Sequence, residues 1–152
     1  MRIEIDQSGK LENTNVSTAV GFSNGKSKSI IISSREKIKL QKYFRDIGKR
    51  RIYIYFSFSA LIYLLIKSEK SIEEMIIDTE YPGQEPLIKN YIVNLCGASK
   101  KKFDKRQLYF KQIGKKSRAH YISITSYRTK RGNVRVFAQD IINLIQIKRP
   151  GI

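Results

Sequence analysis

The chain has one cysteine, one histidine, no tryptophan and three prolines. A single cysteine excludes an intrachain disulfide, and one Cys with one His cannot assemble a typical zinc site. Cys96, at the end of an apolar stretch, reads as a core thiol. Acidic residues are scarce too: 13 Asp and Glu stand against 30 Lys and Arg, for a formal charge of +17. The shortage is local. Residues 1–96 hold 15 basic and 11 acidic residues, whereas residues 97–152 hold 15 basic and only two acidic ones, Asp104 and Asp140. Long apolar runs are also missing. The stretch from Ile52 to Ile66 is broken by Ser57 and Ser59 and falls short of the roughly 18–20 residues that cross a bilayer. Met1–Asp6 lacks the apolar run of a signal peptide, so the expectation is a cytoplasmic protein with no membrane association.

What is present is an ordinary globular mixture, 41% apolar and 28% charged, which argues against general disorder. A length of 152 residues favours one domain. It spans 1–152, with 98–118 read as a basic loop or insert. Such a one-sided excess of cations is most simply matched by a polyanion, because phosphate contacts release condensed counterions. Abundant Ile and Lys fit a heat-adapted source.

Residues 2–6 alternate Ile3 and Ile5 with Glu4 and Asp6 and read as a strand ending in a turn at Asp6-Gln7-Ser8-Gly9. Asn24-Gly25 between two extended runs, 18–23 and 28–33, is a hairpin signal. The first three strands therefore form an antiparallel meander. Ser33 with Glu36 has capping-box spacing and opens a helix carrying Leu40, Tyr43, Phe44 and Ile47, closed by Gly48. Arg51–Phe56 reads as a strand, Ser59–Ser68 as a buried helix, Met75–Tyr81 as a strand and Pro86–Cys96 as a helix. Leu108–Ile113 and Tyr121–Ser126 read as extended, and Val134–Ile147 as the last helix. The order implies an α/β fold with a mixed sheet flanked by helices.

With acids this rare, their positions are informative. Asp6 ends the first strand. Asp78 and Glu80 are two apart at the end of a later strand and share a face. Asp140 lies in an apolar strip of the last helix. Carboxylates brought together from distant segments supply the oxygen ligands that Mg²⁺ or Mn²⁺ require. Against this, Asp6 also suits a turn cap, Asp78 and Glu80 a solvated strand end, and Asp140 an ion pair with Arg135 or Lys148.

Asp6-Gln7-Ser8-Gly9 after the first strand resembles the opening of ribonuclease H-like proteins, in particular uncharacterised members whose first strand ends in an Asp-Glu-Ser-Gly-type motif. Ile76-Ile77-Asp78-Thr79-Glu80-Tyr81-Pro82-Gly83 looks like their middle acidic strand, similar to archaeal proteins of unassigned function. Phe137-Ala138-Gln139-Asp140-Ile141-Ile142 looks like their helix with an Ala-Asp pair. The resemblance implies a ribonuclease H-like sheet of about five strands and a site for Mg²⁺ or Mn²⁺. It also implies a nuclease that cleaves DNA or RNA, including branched forms, by a two-metal mechanism, and it leaves room for a homodimer. By position, Asp6 is the bridging ligand, Asp78 or Glu80 the second and Asp140 the helix ligand. The chain departs from the pattern with Gln7 and Gln139, and the helix-borne Glu of the family has only Glu36 as its counterpart, read as facing the cap. The alternative is a non-catalytic, basic nucleic-acid-binding module on the same fold.

His120 is available as a general acid or base near such metals, or as a structural residue beside a strand. Lys101, Lys102, Lys115, Lys116, Arg118, Lys130 and Arg131 are the expected phosphate contacts, or else solvated turns. Gly114-Lys115-Lys116-Ser117 lacks the earlier glycine of a phosphate-binding loop, since position 109 is Tyr, and precedes an expected strand. Tyr53, Tyr55, Tyr109, Phe110, Tyr121 and Tyr127 are candidates for stacking on bases or for the core.

Overall fold

The fold is seen in a computed structural model, which describes residues 1–98 and 103–147. The strands are β1 (Arg2–Ser8), β2 (Thr18–Ser23), β3 (Ser27–Ile32), β4 (Glu74–Asp78), β5 (Leu108–Lys111) and β6 (Val134–Val136). The helices are α1 (Ser34–Asp46), α2 (Tyr53–Ile66), α3 (Glu85–Ala98), α4 (Arg118–Thr129) and α5 (Ala138–Ile147). The six strands form one mixed sheet in the order β5-β4-β1-β2-β3-β6. β1, β2 and β3 make the antiparallel meander, and the pairs β1–β4, β4–β5 and β3–β6 are parallel. This is the expected α/β class, with an arrangement consistent with the ribonuclease H-like one.

The hairpin turn forms where expected. Gly25 takes φ +98°, open to glycine without strain, and the Asn24 side chain accepts from Lys26 N–H at 3.0 Å. Alternation then sorts the sheet into two unlike faces. Ile3, Ile5, Val20, Phe22, Ile30 and Ile32 are buried on the face that joins the main core with α1, α2, α3 and α5. The other face carries Asp6, Ser8, Ala19, Gly21 and Ser29 and is covered by α4, which crosses β1, β2 and β3. Small residues there let the helix come close. A Cβ at Gly21 would lie 2.8 Å from Ile122 Cγ2 and 2.9 Å from the backbone nitrogen of Ser123.

Three expectations are corrected. Arg51–Phe56 is not a strand: a short 3-10 turn, Arg50–Ile52, leads directly into α2. Nearly every residue of α2 is buried, so its sequence carries no amphipathic period to separate helix from strand. Tyr121–Ser126 belongs to α4, where Ala119, Ser123 and Ser126 recur at helical spacing as the buried stripe. Ser117 caps that helix by accepting from Ala119 N–H at 3.2 Å, so the Gly114–Ser117 segment precedes a helix and not a strand. Finally, Val134–Val136 is a sixth strand on β3, and the last helix begins only at Ala138. Within 98–118, Leu108–Lys111 forms β5, in keeping with the extended reading of Leu108–Ile113.

The β1–β2 connection, residues 9–17, is anchored by a buried cation. Lys37 on α1 is fully buried. Its ammonium donates to Lys10 O at 3.0 Å, Asn13 O at 2.7 Å and Thr18 Oγ1 at 2.9 Å. Burial pulls its pKa down to about 8, while three acceptors for three N–H donors hold the charged form at neutral pH. Tyr53 adds a hydrogen bond from its hydroxyl to Leu11 O at 2.9 Å.

Candidate metal centre

β1 and β4 run in parallel with Ile3 opposite Met75 and Ile5 opposite Ile77. The same offset sets Asp6 level with Asp78, the last residue of β4. β1 itself runs on to Ser8, paired with Ala19, so Asp6 stands two residues inside the strand and not in the expected turn at 6–9. Glu80 follows Asp78 by two residues, just past the end of β4. Each of the three offers a carboxylate oxygen within 4.8 Å of the others'. Asp6 is buried, while Asp78 and Glu80 are partly so. The distant pairing expected of these residues is therefore present.

The surroundings orient the carboxylates. His120, in the first turn of α4, lies with Nδ1 2.8 Å from Asp6 Oδ2. The Ser123 hydroxyl, one turn on, lies 3.4 Å from the same oxygen and 3.0 Å from Ser8 Oγ. The Ser117 hydroxyl donates to Glu4 Oε1 at 3.0 Å. Alternate residues of β1 thus meet every third residue of α4, which fixes that helix to the acidic strand. Asp78 Oδ1 accepts the Ile113 N–H at 2.8 Å, tying the carboxylate to the segment after β5.

Three carboxyl groups this close cannot all ionise cheaply. Burial raises the Glu80 pKa to about 9, helped by hydrogen bonding to Asp78 and by the charges of Asp78 and Asp6. Burial also raises that of Asp6, against the lowering effect of the His120 hydrogen bond. The donor set is all hard oxygen, and the site holds a proton where a cation would relieve the repulsion. Both features fit a divalent ion that prefers oxygen ligands. The triad can hold a metal ion.

Comparison with protein-family models, with curated proteins and with solved structures returns no significant match.

Not every expected ligand joins the triad. Asp140 is exposed in the first turn of α5, after the edge strand β6, three strands away from β1. Its carboxylate accepts the Phe137 N–H at 2.8 Å, so it caps its own helix. The apolar strip inferred for it rested on starting the helix at Val134. Glu36 is also elsewhere: its carboxylate accepts Ala138 N–H at 2.9 Å and pairs with Lys39 at 2.9 Å. His120 does meet Asp6, but from a helix and not from beside a strand. The site residue that the sequence left unremarked is Ser123, hidden because Tyr121–Ser126 alternates like a strand.

The expected phosphate contacts divide. Lys115, Lys116 and Arg118 are exposed between β5 and the start of α4, next to the Ile113–Asp78 contact. Lys130 and Arg131 are exposed at the opposite end of α4. Lys101 and Lys102 lie outside the described residues. Among the aromatic candidates, Tyr53 is core, while Tyr109 and Tyr121 are exposed. Among the described residues, no helix is long and apolar enough to cross a membrane.

The raised Glu80 pKa has a measurable sign. Between the ordinary glutamate value of 4.5 and about 9, the folded chain binds more protons than the unfolded one, so metal-free stability falls as pH rises. Melting in chelator should drop from pH 5 to pH 8, and Mn²⁺ should raise the midpoint more at pH 8 than at pH 5, where protons compete. Glu80→Gln should flatten the slope. A slope unchanged by that variant would place the proton elsewhere.

Proposed function

We propose that the chain is a metal-dependent nuclease of ribonuclease H-like type that hydrolyses phosphodiester bonds of DNA or RNA. One observation carries the reading: Asp6, Asp78 and Glu80 converge from adjacent parallel strands in a chain of formal charge +17. In so basic a protein, three acids packed together call for a cation, and the surrounding positive charge suits a polyanionic substrate.

Asp6, Asp78 and Glu80 would hold Mg²⁺ or Mn²⁺, in a two-metal arrangement if the substrate's phosphate oxygens help to ligate a second ion. Such ions supply Lewis-acid stabilisation of the phosphoryl and leaving oxygens and activation of water. The chain's own residues do the remainder. Asp6 and Ser123 fix the His120 ring through Nδ1 and its backbone, leaving Nε2 uncommitted among the described residues for proton transfer. Lys115, Lys116 and Arg118 on the neighbouring connection would grip the backbone of the nucleic acid.

The test is a cleavage panel of single-stranded, duplex, hybrid and branched substrates with Mg²⁺, with Mn²⁺ and with chelator. Cleavage of at least one substrate, lost on chelation, is the expected result. A second reading, a non-catalytic nucleic-acid-binding module on the same fold, is favoured by the position of Asp140, which leaves the triad without a fourth carboxylate. It expects binding with no cleavage under any metal. Either reading requires affinity that falls steeply with salt, and a flat salt response would remove both.

A further inference from the structure

Beyond the carboxylates, the end of α4, the start of α1 and β6 enclose an open cleft of about 460 Å³. Arg35, Arg128, Lys130 and Arg135 all line it, and no acidic residue does. None of these four forms an ion pair among the described residues. Glu36, next to Arg35 in sequence, is engaged instead by Ala138 N–H and Lys39. Four exposed cations around one open cleft raise its positive potential and favour an anion there.

Lys130 gives a second, independent indication. It is the only non-glycine residue with positive φ among the described residues, at 56°, on the left-handed C-cap of α4. Glycine is the ordinary residue there, so a cation is kept at a position the backbone would give to glycine. Such outliers gather at ligand sites. The rest of the wall mixes Asn15 and three serines with Val16, Ile31 and Tyr127. The cleft therefore combines cations with hydroxyl and amide groups and one aromatic residue, at a volume within the range of about 300–1,000 Å³ usual for small-ligand pockets.

We propose that this cleft binds the phosphomonoester of a nucleotide, with the Tyr127 side receiving the sugar or base. A monoester carries about −1.5 to −2 charges at neutral pH, which matches several converging cations better than a singly charged diester does. Two sources present this chemistry, a free mononucleotide and the phosphorylated end of a strand. Tyr127 lies seven residues beyond His120 on one helix, a rise of about 10 Å. The cleft is thus separate from the metal centre yet within reach of the same strand.

Fluorescence anisotropy without divalent metal tests this on one labelled oligonucleotide in three forms: 5′-phosphorylated, 3′-phosphorylated and unphosphorylated. Unlabelled nucleoside monophosphate and inorganic phosphate serve as competitors. The variant is Lys130→Gly with Arg135→Gln, which removes two cations and gives the C-cap its favoured residue. One phosphorylated form should bind about tenfold more tightly than the unphosphorylated form, and the variant should erase that preference. Competition by nucleoside monophosphate that the variant weakens, with no strand-end preference, assigns the cleft to free nucleotide. Equal binding of all three strands with no competition overturns the proposal, as does a preference that survives in the variant. The readout involves no cleavage, so an inactive protein that keeps the preference would refute the nuclease reading and leave the cleft assignment standing.

Discussion

Asp6→Asn is expected to reduce Mg²⁺-dependent cleavage by at least about 100-fold, beyond the 10–100-fold that loss of a supporting outer hydrogen bond commonly produces. Asp6 sits level with Asp78 in the sheet and is the member of the triad that α4 also grips. Its replacement removes one anionic oxygen ligand without changing side-chain volume. Affinity for nucleic acid should stay the same or rise, because one negative charge facing a polyanion is gone. His120→Ala should cost about 100- to 10,000-fold where Nε2 transfers a proton; a loss of only about 10- to 100-fold would reduce the imidazole to a support for Asp6. Single-turnover cleavage beside anisotropy separates chemistry from binding. Full activity in Asp6→Asn would end the nuclease reading, whatever the other variants did.

The second large effect is on stability. Lys37→Met keeps much of the side chain's length but removes three hydrogen bonds from a charged donor: Thr18 Oγ1 loses its ammonium partner, while Lys10 O and Asn13 O keep only the Asn13 and Val16 N–H groups at 3.1 and 3.5 Å. A hydrogen bond from a charged donor contributes about 1.5–3 kcal/mol, and the Lys10 and Asn13 carbonyls recover part of theirs from water. With partial relaxation of the connection, a net loss of about 3 kcal/mol is expected, a large share of the roughly 5–15 kcal/mol that holds a domain folded. At about 2–4 °C per kcal/mol for a chain of this size, the melting midpoint should fall by about 10 °C. Lys42→Met on the same helix is the comparison. Lys42 forms only an exposed pair with Asp46 at 3.0 Å, and such pairs contribute about 0–1 kcal/mol. Equal midpoints for the two variants would mean that the connection does not depend on the buried ammonium.

The meander, α1, α3 and the Met75–Tyr81 strand, which in fact ends at Asp78, were legible because each carries its own local signal: strict alternation, Asn24-Gly25, the Ser33 cap, or an apolar stripe. The pairing of Asp6 with Asp78 and Glu80 was legible from scarcity, since few acids were left over for other tasks. Three segments were not, for different physical reasons. α2 is enclosed on all sides by α1, α3, α5 and the sheet, so burial removed the periodicity that distinguishes a helix. In α4, Ile122 and Ile124 alternate with polar residues, and the stripe that matters is made of Ala119, Ser123 and Ser126, which a search for apolar residues passes over. β6 is only three residues long and owes its existence to pairing with β3. Missing it joined Val134 to the last helix and gave Asp140 an apolar setting it does not have. The buried role of Lys37 was invisible for a similar reason, because lysine on a helix ordinarily reads as solvent-facing.

The close seating of α4 on a face of glycine, alanine and serine sets which mutations this side of the molecule can absorb. Growth at Gly21 meets the main chain of the helix, which has no rotamer by which to yield. A larger residue there would lift α4 bodily and carry the imidazole away from its carboxylate. Loss of function would then arise at a position that touches neither substrate nor ion, from bulk alone. Tolerance on this layer is accordingly a matter of volume, whereas the opposite layer, packed with Ile, Val and Phe, tests exchanges by polarity.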